Sequence, residues 1–353
     1  MTSYKLVLHI GQTKTGTTSI QNFLHRNQKQ LELSGIYYSK RPYNSTSHRY
    51  LFHLASLSAW KNPTCTQAIR HRNRLREIFQ AKESPKTQDL WTYFNENLLK
   101  ESCNISILSE ELFWESSLIS DSSSIHITSK LSDVLHRIFP PQNITLLVAL
   151  RHHGEWLESW HNQMVKDQAN QFKVARFFKR ALSRDALAYR KKIDAWKEAF
   201  PQAKIKVVDF NTQLVSPQPI GLRFLAEAGL TDHLSKQSLL RMVYPERVQE
   251  SIHPILHAFL IKEKPLIHNR HIYKTRIQEA DKVIRAKLFE LGTKDSFTVL
   301  SPSIINECHL LHDSDHLSLF GIDQLEHCFD LKKRVPRVLE PEITTYLDNK
   351  FNR

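Results

Sequence analysis

The residues able to do chemistry fall in three places. The first is Gly11-Gln12-Thr13-Lys14-Thr15-Gly16-Thr17-Thr18-Ser19, where two glycines bracket a lysine and a run of hydroxyls follows. A glycine-bounded loop that opens into a helix offers backbone N–H groups and the positive end of the helix dipole to an anion. In the nucleotide-hydrolase loop G-x-x-x-x-G-K-[ST] the lysine follows the second glycine. Here Thr17 stands in that place, and the cation has moved inside the loop, to Lys14. The second place is Arg151, with Ser159 eight positions later. A guanidinium matches a phosphate with two charge-assisted hydrogen bonds, and a serine hydroxyl adds another donor. The third is the carboxylate pair Glu110 and Glu111. Either can act as a general base toward a hydroxyl within hydrogen-bond reach. His48 and His53 offer a second source of the same function.

The elements that must hold these residues are legible in outline. Residues 5–10 (KLVLHI) form a short β-prone run, and the glycine loop follows it directly. Ile20, Phe23, Leu24 and Leu31 then recur at near-helical spacing, so a helix is predicted over 19–33, closed by Gly35. A second short strand is predicted at 36–39, and a loop with a short helix over 41–62. Residues 66–100 read as helical and basic. Residues 104–108 (NISIL) read as a buried strand that ends at Glu110, and 116–124 as a serine-rich turn before a helix to 139. Residues 144–150 (ITLLVAL) give the clearest buried strand, running straight into Arg151. Helices at 153–168, 185–199 and 222–228, a strand at 205–210, and a helix from Ser301-Pro302 complete the pattern. Strands alternating with helices predict an α/β fold: a three-layer, P-loop-like nucleotide-binding arrangement with a central, mainly parallel sheet. One domain over 1–330 is predicted, with helical insertions at about 61–100 and 240–295 and a polar tail over 331–353.

The first and second places together resemble the PAPS-dependent sulfotransferases, in particular bacterial carbohydrate-type members. In that family a lysine and a Gly-Thr-Thr or Gly-Thr-Ser run after the first strand hold the 5′-phosphosulfate. The resemblance assigns Gln12, Thr13, Lys14, Thr15, Gly16, Thr17, Thr18 and Ser19 to this loop. A strand-end arginine with a serine eight residues on holds the 3′-phosphate, which assigns Arg151 and Ser159. The string Leu150-Arg151-His152-His153-Gly154-Glu155-Trp156-Leu157-Glu158-Ser159 is similar to the family's second segment, and 313–320 (DSDHLSLF) looks like its closing segment. The resemblance implies transfer of a sulfuryl group from 3′-phosphoadenosine 5′-phosphosulfate (PAPS) to a hydroxyl or amine, releasing adenosine 3′,5′-bisphosphate. It places Lys14 at the leaving oxygen and the base at Glu110, with His48 or His53 as the alternative. A sulfuryl group carries less negative charge than a phosphoryl group, so no metal is expected. The acceptor implied is a carbohydrate or glycolipid. Residues 61–100 and 240–295 match poorly, and substrate choice is expected there.

Bulk properties narrow the field less. The 353 residues are 41% hydrophobic and 24% charged, which supplies a sizeable core and excludes wholesale disorder. The net charge of +13 attracts anions: nucleotides, acidic glycans, nucleic acid, or the anionic lipid of a peripheral membrane contact. Neither zinc-finger spacing nor an RNA-recognition aromatic motif occurs, so nucleic acid is not the expected partner. A small-molecule kinase on the same scaffold is the competing enzymatic reading, and the displaced lysine argues against it. The four cysteines lack Cys-x-x-Cys spacing and read as reduced thiols. With no secretory signal and no long apolar run, a cytoplasmic location is expected.

Overall fold

The structure, a computed structural model, describes residues 4–43, 45–59, 65–114, 124–167, 173–210, 218–244, 253–263, 270–290, 299–319 and 341–351. The serine-rich turn expected at 116–124 lies almost wholly outside them. The chain divides into two compact units. One comprises 1–151, 188–248 and 318–321; the other comprises 152–187, 249–317 and 322–353.

The first unit is α/β, built on a five-stranded, wholly parallel sheet. Its strands are β1 (Lys5–His9), β2 (Ile36–Tyr38), β3 (Ile105–Ser109), β4 (Ile144–Leu150) and β5 (Lys204–Asp209), in the order β2-β3-β1-β4-β5. β1 is central. It pairs with β3 on one side (Val7 opposite Ile107) and with β4 on the other (Leu8 opposite Leu146). The strands are apolar on both faces, as a sheet covered by helices on both sides requires. Leu6, Leu8, Leu108, Leu146 and Val148 join one core, and Val7, Ile105, Ile107 and Leu147 join the other. The second core includes side chains from α1 (Thr17–Arg26), α2 (Gln28–Glu32), α10 (Ile220–Glu227) and the short α11 (Lys236–Leu240). The first includes side chains from α3 (Arg49–Ala59), α4 (Thr66–Ile78), α5 (Thr87–Leu98), α6 (Ser124–Leu135) and α9 (Tyr189–Ala199). The result is the three-layer arrangement read from the sequence.

Two predicted elements are divided. The helix expected over 19–33 is two helices, α1 and α2, parted at Asn27. The Asn27 amide donates to the carbonyls of Phe23 and Val243, each at 2.8 Å, and accepts the Val243 N–H at 2.7 Å. An asparagine that satisfies distant backbone in this way competes with helix continuation. The basic stretch predicted as helical over 66–100 is likewise two helices, α4 and α5.

The second unit is helical. It holds α7 (His153–Lys166), α8 (Val174–Ser183), α12 (Pro254–Glu263), α13 (Arg270–Glu290), most of α14 (Pro302–Leu319) and α15 (Pro341–Phe351). Leu256, Phe259, Ile277, Ile284 and Leu347 form its core. The expected polar tail therefore contains a helix that buries Leu347 and Phe351. Between α7 and α12, His161 Nδ1 lies 2.8 Å from His257 Nε2, both rings fully buried. Among the described residues, no helix is long and apolar enough to cross a membrane.

Candidate active site

The strand order reverses beside β1, and in open α/β sheets ligands bind outside the carboxyl ends of the strands at such a point. The glycine loop lies there. Beyond β1 the chain keeps its pairing with β4 for a few residues: Ile10 N–H donates to Leu147 O (3.0 Å) and Gln12 N–H to Ala149 O (2.9 Å). It then turns sharply. Lys14 has φ 66° and Gly16 has φ 75°, both left-handed. A left-handed lysine costs on the order of 1 kcal/mol or more and persists only where its surroundings hold it. At Gly16 a side chain would be blocked as well as strained, since a Cβ would stand 2.3 Å from Ile220 Cδ1.

The loop's hydroxyls divide into two groups. Thr15 Oγ1 donates to Gln12 O at 2.5 Å, and Thr17 Oγ1 points to the same carbonyl at 3.5 Å. Both residues are buried, and in this arrangement both hydroxyls shape the loop. Thr13, Lys14, Gly16, Thr18 and Ser19 are partly exposed. The α1 N-terminus has neither a side-chain cap nor an acidic residue in its first turn. The amides of Ser19 and Ile20 bond to Gly16 O, which leaves the first-turn donors of Thr17 and Thr18 as the ones an anion can take.

Arg151 meets this loop at the end of β4. Its N–H donates to Gln12 Oε1 (3.0 Å). Gln12 Nε2 donates to the Tyr189 hydroxyl (2.7 Å), which donates back to Arg151 O (3.0 Å), closing a ring. The Arg151 guanidinium then donates through Nη1 to Lys14 O at 3.3 Å and lies 5.7 Å from the Phe210 ring centre. The structure thus brings Lys14 and Arg151 together. The Gln12 side chain turns inward: it is fully buried and both of its polar atoms are engaged by protein. Ser159 belongs to the second unit, where it is buried on α7.

Glu110 stands just past β3, and its N–H donates to His9 O (3.0 Å), at the carboxyl end of β1. Oε1 accepts the Leu112 N–H (3.1 Å) and lies 4.0 Å from Arg49 Nε. Oε2 is buried with no hydrogen-bond partner among the described residues. Burial, and then the neighbouring Glu111 charge, push the Glu110 carboxyl up to about 8, against the pull of Arg49. A carboxyl so raised exchanges its proton near neutral pH, the range a general acid or base needs. Glu111 is occupied differently: Arg49 Nη2 donates to it at 3.3 Å and Gln21 Nε2 at 2.9 Å.

The two candidate histidines are engaged by other protein groups. His48 Nδ1 accepts the Ser109 N–H (3.0 Å), and its Nε2–H donates to Ser39 O (3.1 Å). Burial, assisted by Arg41, holds it down to about 3. With both ring nitrogens on backbone, His48 braces β3. His53 pairs with His71 across α3 and α4 (Nδ1 to Nδ1, 3.0 Å) and is held down to about 3, chiefly by burial. Sequence reasoning passes over two residues. Tyr189 carries no motif. His9 heads the string that resembles the family's 5′-phosphosulfate loop but has no role in it; its Nδ1 meets Ser109 Oγ at 2.9 Å and its Nε2 is buried with no partner among the described residues. Among the described residues, no three His, Cys, Asp or Glu side chains are grouped to hold a metal ion.

Comparison with known proteins adds little to this geometry. No family model matches the chain, and no curated protein matches it in sequence. Among solved structures it is similar to a sulfotransferase from Alicyclobacillus acidocaldarius, with a TM-score of 0.40 and 12% identity over 71% of this chain and 87% of that one. Those values assign no family.

Proposed function

We propose that this chain is a sulfotransferase that takes a sulfuryl group from PAPS and places it on a hydroxyl or amine, with a carbohydrate or glycolipid as the acceptor. One observation carries the reading: the Arg151 guanidinium bonds to the carbonyl of Lys14. The two cationic residues that the sequence pattern sets far apart therefore share one edge of the sheet, beside a helix N-terminus with no side-chain cap. A donor with anionic groups on both sides of its ribose suits such a pair.

The residues fit the donor in kind. Lys14 and the Thr17 and Thr18 amides would meet the 5′ side, and Arg151 the 3′-phosphate. In the transfer, the bond between sulfur and the leaving phosphate oxygen breaks as a bond from sulfur to the acceptor oxygen or nitrogen forms. The acceptor's proton passes to the Glu110 carboxylate, and the charge left on the departing oxygen is met by Lys14. Catalysis is then alignment and charge stabilisation. Glu110 must be ionised to accept the proton, so the rate should rise with pH toward about 8, where this carboxyl titrates. The test is titration with adenosine 3′,5′-bisphosphate followed by melting temperature, then labelled PAPS with a panel of oligosaccharides, glycolipids and phenols. Turnover of Mg-ATP with no response to either adenylate would overturn the proposal.

A further inference from the structure

Behind Lys14 and Arg151 lies a residue that neither the loop nor the strand-end motif contains. Tyr189 begins α9, is 2% exposed, and packs edge-on against Trp114 with ring centres 5.7 Å apart. Its hydroxyl accepts from Gln12 Nε2 and donates to Arg151 O. This fixes which way the Gln12 amide faces: with Nε2 on the tyrosine, Oε1 is turned to the Arg151 N–H. Both backbone polar groups of Arg151 are thereby held at the point where β4 stops. From there the guanidinium reaches Lys14 O, on a residue whose left-handed backbone needs external support.

We infer that Tyr189, acting through Gln12, is the positioning residue that sets Arg151 and Lys14 in register, so that both anionic ends of one donor are met together. The inference rests on the donor site proposed above. Tyr189 is buried behind that site and acts through Gln12 and Arg151. Its prediction is distinctive: loss of one hydroxyl should weaken the 3′ and the 5′ contacts alike, although neither involves Tyr189 directly.

Tyr189→Phe keeps the ring packing and removes the hydroxyl. Dissociation constants would be measured by calorimetry for adenosine 3′,5′-bisphosphate, adenosine 3′-phosphate and adenosine 5′-phosphosulfate, on the full chain. Removing a partner from buried polar groups should weaken the bisphosphate roughly tenfold, and each singly modified ligand should weaken as well. Gln12→Met opens the same ring from its other side and serves as the second variant if Tyr189→Phe does not fold. The double variant should bind no worse than either single one, because the ring opens only once. A purely structural tyrosine would lower the melting temperature and leave all three constants unmoved. That result, or effects that multiply in the double variant, overturns the positioning role. Failure of the wild-type chain to bind the bisphosphate overturns the donor site itself, and with it this role.

Discussion

The two ends of the parallel sheet are built to different standards. At the amino end the turns close on themselves. Lys5 N–H donates to Asn104 O, Asn104 and Ile105 donate to Gly35 O, and Cys103 donates to Lys100 O. Gly35 takes the left-handed turn there (φ 74°), with a glycine where one is needed. At the carboxyl end the same strands lead to a lysine in a left-handed conformation, a helix N-terminus with no side-chain cap, and a buried carboxyl oxygen with no partner among the described residues. Yet a cavity of about 360 Å³ opens at the amino end, lined by Tyr4, Ser34, Glu101, Asn104 and His233 among others. Unmet polar groups and local strain are the features that recommend the carboxyl end.

That contrast can be broken most forcefully at the cations. Arg151→Ala and Lys14→Ala should each weaken adenosine 3′,5′-bisphosphate on the order of a hundredfold, as loss of a charge-assisted contact predicts. Equal affinity in calorimetry would remove the carboxyl end from consideration. Next is Glu110→Gln, which should cut turnover by about 10²-fold or more while the bisphosphate still binds. The same variant has a stability signature. The folded chain holds the Glu110 proton up to about 8, whereas an ordinary carboxyl releases it near 4.5. Folding stability from this group is therefore full below 4.5 and is lost as pH rises through about 8. Urea melts of Glu110→Gln should show a flatter pH dependence over that window, and a slope equal to wild type would refute the burial argument.

A glycine pair sharpens the comparison further. Gly16→Ala combines a left-handed φ with a close approach to Ile220 and should cost roughly 2 kcal/mol or more. Gly35→Ala shares the left-handed φ but meets only Asn104 Oδ1, at 3.2 Å, and should cost nearer to about 1 kcal/mol. Chemical denaturation would rank them, and the reverse order would contradict the packing around the loop. The smallest effect is expected at the amino-end cavity, which Ser102 also lines: Ser102→Ala should leave nucleotide affinity unchanged.

How far the sequence anticipates this depends on whether local or distant partners fix each residue. The loop is legible because glycine spacing and hydroxyl content are local consequences of turning a strand into a helix. Arg151 is legible because seven apolar or β-prone residues fix where β4 must end. Glu110 follows from the same reasoning applied to β3. Other features depend on partners far away in sequence. Asn27 breaks its helix by bonding to Val243, and His48 is neutral because the fold buries it, with the backbone of Ser39 and Ser109 on its two nitrogens. Tyr189 looks like any core tyrosine until β1 and β4 are placed beside it. Gln12 lies within the motif, but its side chain turns inward, which spacing does not reveal.

The central position of β1 has a mechanical consequence. A loop rooted between two hydrogen-bonded neighbours cannot swing outward without tearing the middle of the sheet. This cradle is therefore an anvil rather than a jaw: any opening beside it must be made by parts of the chain outside it.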